Sequence, residues 1–301
     1  MTVSKSRHDS IPIANLQNAL PRLQTLHQPG VLACFRMDAV SQISEHRVSV
    51  PGGEMYAKCW QPVQPARNVP VVLLHDSLGC VELWRDFPEA LCSATGRPIV
   101  AYDRLGFGRS DRRSELPSPR FIREEAEIYL PALLDALSIE KVVLCGHSVG
   151  GGMAISAAAR FGPRCAAVIA ESAQAFVEPR TRQGILQAQS EFQDPRAFAK
   201  LEQYHGDKAE WVLRAWTDTW LSDAFTNWSL SAELPEMRCP SLVIHGDSDE
   251  YGSTAFPETI CRLAGGPCQM HVLTAVGHVP HRSHRDVVLT LIRDFLDARG
   301  S

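Results

Sequence analysis

The chain has 301 residues, of which 45% are hydrophobic and 21% charged, the balance of a folded protein that can bury a sizeable core. A formal net charge of −4, with no Lys/Arg cluster interleaved with aromatics, sets nucleic acid aside as a partner. No segment reaches the uninterrupted apolar length that a membrane span requires, which sets a membrane aside as well.

Residues 1–45 read as an N-terminal arm, with a weak amphipathic run (Ile13, Leu16, Leu20, Leu23, Leu26) broken by Pro21 and without the continuous apolar core of a secretory leader. The pattern changes at His46. Residues 47–50 and 54–60 flank Pro51-Gly52-Gly53 as a hairpin. The apolar run 69–75 reads as a strand buried on both faces. A helix over 81–94, a strand over 98–102, a helix over 121–137, a strand over 141–145, a helix over 149–161 and a strand over 166–170 follow. Strands separated by helix-length segments predict βαβ units, an α/β protein with a mainly parallel sheet and helices on both faces.

The alternation is interrupted over residues 173–236, a stretch of helical composition rich in aromatics that includes Trp211, Trp216, Trp220 and Trp228. Two readings stand together: a layer packed by its aromatics, and a helical cap inserted after the sixth strand that lends apolar walls to a pocket. Trp216 and Trp220, four residues apart, share a helix face and are the candidate pocket residues. The sheet resumes at 241–245, followed by a helix over 254–263, a strand over 269–273 and a last helix over 286–298. Residues 46–172 and 237–301 then form the core. Nine scattered cysteines without a Cys-x-x-Cys argue against a disulfide framework or a zinc ribbon. Several sit in apolar runs, as Cys145 does, and reduced thiols predict a cytoplasmic location.

The chain is organised around residues 142–152, a short apolar strand that turns into a small-residue helix with Gly146-His147-Ser148-Val149-Gly150 at the corner. A serine forced onto such a turn presents its hydroxyl beyond the sheet edge, and the residue after it opens the helix with an unpaired amide. Ser148 is the candidate nucleophile and the Val149 N–H a candidate oxyanion donor. A serine hydroxyl needs a base, held in one tautomer by a carboxylate. Ligands of open α/β sheets bind outside the carboxyl ends of the strands, so those partners belong on loops after strands. Residues 246–250, with Asp247 and Asp249, and residues 275–280, with His278, qualify.

With His75-Asp76-Ser77-Leu78-Gly79 after the third strand, Asp103-Arg104-Leu105-Gly106-Phe107-Gly108-Arg109-Ser110 after the fourth, the serine corner, and Gly-Asp-Ser-Asp followed by Gly-His near the end, residues 46–298 resemble the α/β-hydrolase superfamily. The likeness is to its capped esterases, lactonases and carbon–carbon bond hydrolases. That resemblance implies Asp249 as the acid, with Asp247 and Glu171 as rivals, and His278 as the base. It implies a second oxyanion donor at the Ser77 N–H, in a loop where Asp76 replaces the usual glycine and where His75 and Asp76 shape the turn. It also implies that Asp103 and Arg104 fix their loop as ion partners. The spacing of His278, His281 and His284 invites a metal, but lacks a matching carboxylate pattern. No metal and no cofactor is expected. The function implied is cleavage of a small apolar or aromatic carboxylic ester or lactone through an acyl-enzyme, with a small molecule as the partner. The alternatives are hydrolysis of a carbon–carbon bond in a vinylogous diketone and a non-catalytic ligand receptor on the same fold. A serine at the corner disfavours the haloalkane dehalogenases and epoxide hydrolases of the superfamily, which carry an aspartate there.

Overall fold

A computed structural model describes residues 40–65 and 69–298. Eight strands form one sheet in the order β1-β2-β4-β3-β5-β6-β7-β8, with β1 Val40–Val50, β2 Gly53–Pro62, β3 Val71–Leu74, β4 Ile99–Tyr102, β5 Val142–His147, β6 Cys165–Glu171, β7 Ser241–Gly246 and β8 Cys268–Leu273. The hairpin β1–β2 and the pair β2–β4 are antiparallel, and all other pairings are parallel. Every residue of β3, β4, β5 and β7 is buried. That is why these strands read as continuous apolar runs rather than as alternating ones. One core cluster, holding Leu74, Leu144 and Val168, lies on one face of the sheet, and a second, holding Leu73, Val143 and Ile169, on the other. β1 begins at Val40, so residues 40–45 belong to the sheet rather than to an arm; the rest of the expected arm lies outside the described residues.

The helices are α1 Phe87–Thr95, α2 Phe121–Glu124, α3 Leu130–Ala136, α4 Val149–Phe161, α5 Pro179–Glu191, α6 Pro195–His205, α7 Ala209–Leu221, α8 Ala255–Leu263, α9 Pro280–Ser283 and α10 Arg285–Asp297. Two expected helices are interrupted, each near a proline. The segment expected as one helix from residue 81 is a 3₁₀ turn, Val81–Trp84, then Arg85 at φ 55°, then α1. Pro88 cannot donate to the Trp84 carbonyl, so the chain restarts with proline in the first turn of a new helix. Likewise a π-helical turn, Glu125–Tyr129, separates α2 from α3, where Pro131 cannot donate to the Glu127 carbonyl.

One cysteine expectation is corrected. Cys261, in α8, and Cys268, the first residue of β8, form a disulfide with their Cα atoms 5.2 Å apart. The tight link from helix to edge strand brings them within bridging range, which spacing along the chain alone does not reveal. Cys59, Cys80, Cys92, Cys145, Cys165 and Cys239 are free thiols. With a disulfide present, the ground for a cytoplasmic location, that all thiols are reduced, falls away. Among the described residues no helix is long and apolar enough to cross a membrane.

Between β6 and β7 the chain runs through α5, α6 and α7. Part of its aromatic content is packing: Trp228 stacks on Phe225, with ring centroids 5.3 Å apart, and Trp220 meets both rings edge-on. Trp211 packs edge-on against Phe107, in the loop after β4.

Candidate active site

The corner between β5 and α4 depends on two glycines for close approach. A Cβ on Gly146 would stand 2.1 Å from the Gly150 carbonyl oxygen, and one on Gly150 would stand 2.1 Å from the Leu74 carbonyl oxygen. Both obstacles are backbone and cannot swing aside. Gly146→Ala should therefore destabilise the fold by about 3 kcal/mol, read as a lowered midpoint in denaturant; an unchanged midpoint would mean that the corner is looser than its geometry implies. Between these glycines Ser148 sits at φ 55°, ψ −125°, a conformation that non-glycine residues keep only when their surroundings enforce it. Here the Ser148 amide donates to the Glu171 carbonyl at 2.8 Å, and the Gly151 amide donates to the Ser148 carbonyl at 2.9 Å.

Ser148 Oγ lies 2.9 Å from His278 Nε2, in the loop after β8. His278 Nδ1 lies 2.9 and 2.8 Å from the two carboxylate oxygens of Asp249, in the turn after β7. This geometry sets the tautomer: Nδ1–H donates to the carboxylate, and Nε2 accepts from the hydroxyl. Asp249 is fully buried and also accepts the Tyr251 amide at 2.7 Å. Burial alone would raise its carboxyl, but the His278 imidazole, the hydrogen bond from it, and the Tyr251 amide together hold it below the ordinary carboxylate range.

The rival carboxylates are engaged elsewhere. Asp247 accepts the Ala275 amide at 2.7 Å and the Ser248 hydroxyl at 2.9 Å. Glu171 accepts the His281 amide at 2.6 Å and His281 Nδ1–H at 2.9 Å. His278, His281 and His284 thus turn to different partners, Ser148, Glu171 and Ser283. Among the described residues no group of three or more His, Cys, Asp or Glu is arranged to hold a metal ion.

Ser77 stands in the loop after β3 and borders the same cleft as Ser148 and His278, while Val149 is the buried first residue of α4. Asp76, in the glycine position, closes the turn by accepting the Leu78 amide at 2.8 Å. Asp103 and Arg104 fix backbone, but not as partners of each other. Asp103 accepts the Val81 and Arg109 amides, both at 2.6 Å, whereas Arg104 donates to the Asp76 carbonyl at 2.8 Å and lies over the Phe107 ring.

The cleft above Ser148 has an empty volume of about 560 Å³ including its open mouth. Its walls are apolar: Leu78, Val279 and Tyr251 from the sheet's loops, Ile185 from α5, and Trp216 and Trp220 from α7. Trp211 and Trp228 do not border it. Sequence reasoning missed Gln174, a buried residue whose Nε2 lies 3.3 Å from Ser148 Oγ. The available signal was its place: a polar side chain three residues beyond the end of β6, in a small-residue stretch, Ser172-Ala173-Gln174-Ala175.

A parallel sheet carrying a serine, a histidine and a buried aspartate on loops at its carboxyl edge defines an α/β hydrolase. The chain belongs to the Alpha/beta hydrolase family, which it matches over residues 71–291. Among characterised proteins it is similar to 1-acylglycerol-3-phosphate O-acyltransferase ABHD5 of Sus scrofa, 34% identical over 119 residues, which cover 38% of this chain and 32% of that one. This chain thus spans only about a third of that relative's length. It is also similar to 2-hydroxymuconate semialdehyde hydrolase of Pseudomonas sp. (strain CF600), 25% identical over 75% of this chain and 86% of the relative. Among solved structures it resembles a bacterial membrane phospholipase A, with a TM-score of 0.70 and 21% identity over 86% of this chain and 87% of that one. A likeness at that identity is one of fold.

Proposed function

We propose that the protein is a serine hydrolase that cleaves a small, uncharged, apolar or aromatic carboxylic ester or lactone through an acyl-enzyme. The observation that carries this reading is the hydrogen-bond chain from Ser148 through His278 to Asp249 at the floor of an apolar cleft. His278 Nε2 takes the hydroxyl proton as Ser148 Oγ attacks the carbonyl carbon. The amides of Ser77 and Val149 stabilise the oxyanion, and the buried Asp249 carboxylate stabilises the imidazolium. On collapse the imidazolium gives its proton to the departing alcohol. A water molecule then repeats the sequence on the acyl-enzyme and releases the acid.

Carbon–carbon bond hydrolysis is the second reading, favoured by the similarity to the 2-hydroxymuconate semialdehyde hydrolase over most of its length. Against it stands the lining of the cleft. Among the described residues no lysine or arginine lines it, and the Asp76 carboxylate there has His147 beside it. A substrate that is itself a carboxylate, as a muconate is, would find no lysine or arginine to pair with there, whereas a neutral ester needs none. Side-by-side assay of nitrophenyl esters, lactones and a vinylogous diketone acid tests this; turnover of the diketone acid alone would reverse the assignment. The non-catalytic receptor reading is tested by the same assay, through turnover of any of them.

In this reading α5 to α7 act as a cap that sets substrate choice, because they supply Ile185, Trp216 and Trp220 to the cleft. Trp216 is the better probe. Trp220 is packed against Phe225 and Trp228, and truncating it should cost about 3–5 kcal/mol of stability. Trp216→Ala is expected to change kcat/KM unequally along a series of acyl chain lengths, by ~1–3 kcal/mol between neighbours. An equal loss on every ester would reduce the helices to a packing layer.

A further inference from the structure

The proposed acyl transfer leaves a pair of charged groups beside the cleft unused. Asp76 Oδ2 lies 3.3 Å from Nδ1 of His147, the residue before Ser148. The other ring nitrogen, Nε2, lies 2.8 Å from the carbonyl oxygen of His278. Both neighbours are acceptors. A neutral imidazole has one N–H and would turn a lone pair toward the other acceptor, so only the imidazolium satisfies both contacts.

The surroundings fit a cation at this position. From the end of β6, the Glu171 carboxylate acts on His147 through its charge and is held by His281. From α9 the His281 ring stands edge-on to His147 at 5.0 Å, from the base loop the His278 ring lies at 5.0 Å, and from the 3₁₀ turn Trp84 meets it edge-on at 6.4 Å. The Arg104 guanidinium is turned to the Asp76 carbonyl. Burial opposes a charge on His147, but the hydrogen bond to Asp76 and the charges of Glu171 and Asp76 outweigh it, and the ring is held above its ordinary range. Burial likewise opposes ionisation of Asp76, and His147 more than offsets this, holding the carboxyl far below its ordinary range. His281 is lowered, first by burial, and so stays neutral as the donor to Glu171.

We infer that His147, doubly protonated, is a positioning residue that ties the oxyanion loop at Asp76 to the base loop at His278, and that turnover falls when it loses its proton. This rests on the hydrolytic reading of the same cleft. When the proton leaves to solvent the ring keeps one N–H, and either the Asp76 carboxylate or the His278 carbonyl is released. The loops carrying the Ser77 amide and the His278 ring then lose their common tie.

The test is the pH dependence of kcat and KM for a small nitrophenyl ester, corrected for background, from about pH 5 to about pH 10. The wild type should show a falling limb in alkali. In Asp76→Asn, where asparagine can still accept the Leu78 amide, the imidazolium loses its counter-charge, and the limb should move down by about one pH unit or more. In His147→Gln the limb should vanish, and kcat should fall at all pH values by roughly tenfold, with KM little changed. A ¹⁵N-histidine NMR titration of the unsubstituted protein should show the His147 ring charged near neutral pH, so the inference does not depend on either variant folding. The absence of an alkaline limb in the wild type, a limb unmoved in Asp76→Asn, or a neutral His147 ring near neutral pH would overturn it. If the wild type hydrolyses no ester and Ser148 takes up no fluorophosphonate, the hydrolytic reading itself fails and takes the inference with it.

Discussion

Replacing Ser148 by alanine is expected to lower kcat by about 10⁶-fold, because nucleophile and base act as a unit and the loss of one disables the other. The variant should stay folded. The corner is held by the backbone bonds of residues 148 and 151 and by the close approach of Gly146 and Gly150, none of which uses the hydroxyl. What the substitution removes is the acceptor of the Gln174 amide and the donor to His278. A fluorophosphonate should label the wild type at Ser148 and leave the variant unlabelled. A folded Ser148→Ala enzyme with turnover within tenfold of wild type would overturn the mechanism.

Asp249→Asn is expected to cost about 10⁴-fold in kcat with the fold retained, and the local geometry gives the reason. Oδ1 of Asp249 accepts the Tyr251 amide at 2.7 Å, so the single oxygen of an asparagine is drawn to that bond. Its NH₂ group then occupies the position of Oδ2, 2.8 Å from His278 Nδ1. Facing a donor, Nδ1 must accept, and the ring proton moves to Nε2, which can no longer take the serine proton. Should Asp247→Asn or Glu171→Gln produce the loss while Asp249→Asn does not, the carboxylate has been misassigned.

The order of strands and helices was largely legible because in this fold burial and sequence pattern coincide. β3, β4, β5 and β7 are covered on both faces, so their residues are mostly apolar, and each run stood out from the polar loops around it. The serine corner was legible for a related reason, since only glycine fits where backbone approaches backbone at Gly146 and Gly150. The start of β1 at Val40 and the breaks near Pro88 and Pro131 were misread. Edge strands are half-exposed, and a proline's effect depends on where the helix would otherwise have run.

What the sequence determined by itself was the class of chemistry, because a Gly-x-Ser-x-Gly turn between a buried strand and a small-residue helix admits few other uses, and the loops able to carry its partners were already few. What only the tertiary structure decided was pairing. Asp247, Asp249 and Glu171 are equivalent as letters, and it took the meeting of the loops after β6, β7 and β8 to direct Asp249 to His278 and Glu171 to His281. The same holds for Cys261 and Cys268, for Gln174 against Ser148, and for Asp76 with His147, which lie far apart in the chain or carry no motif. Contacts of that kind follow from the register of the parallel strands, which is set by summed packing across the whole sheet and by no short stretch of chain.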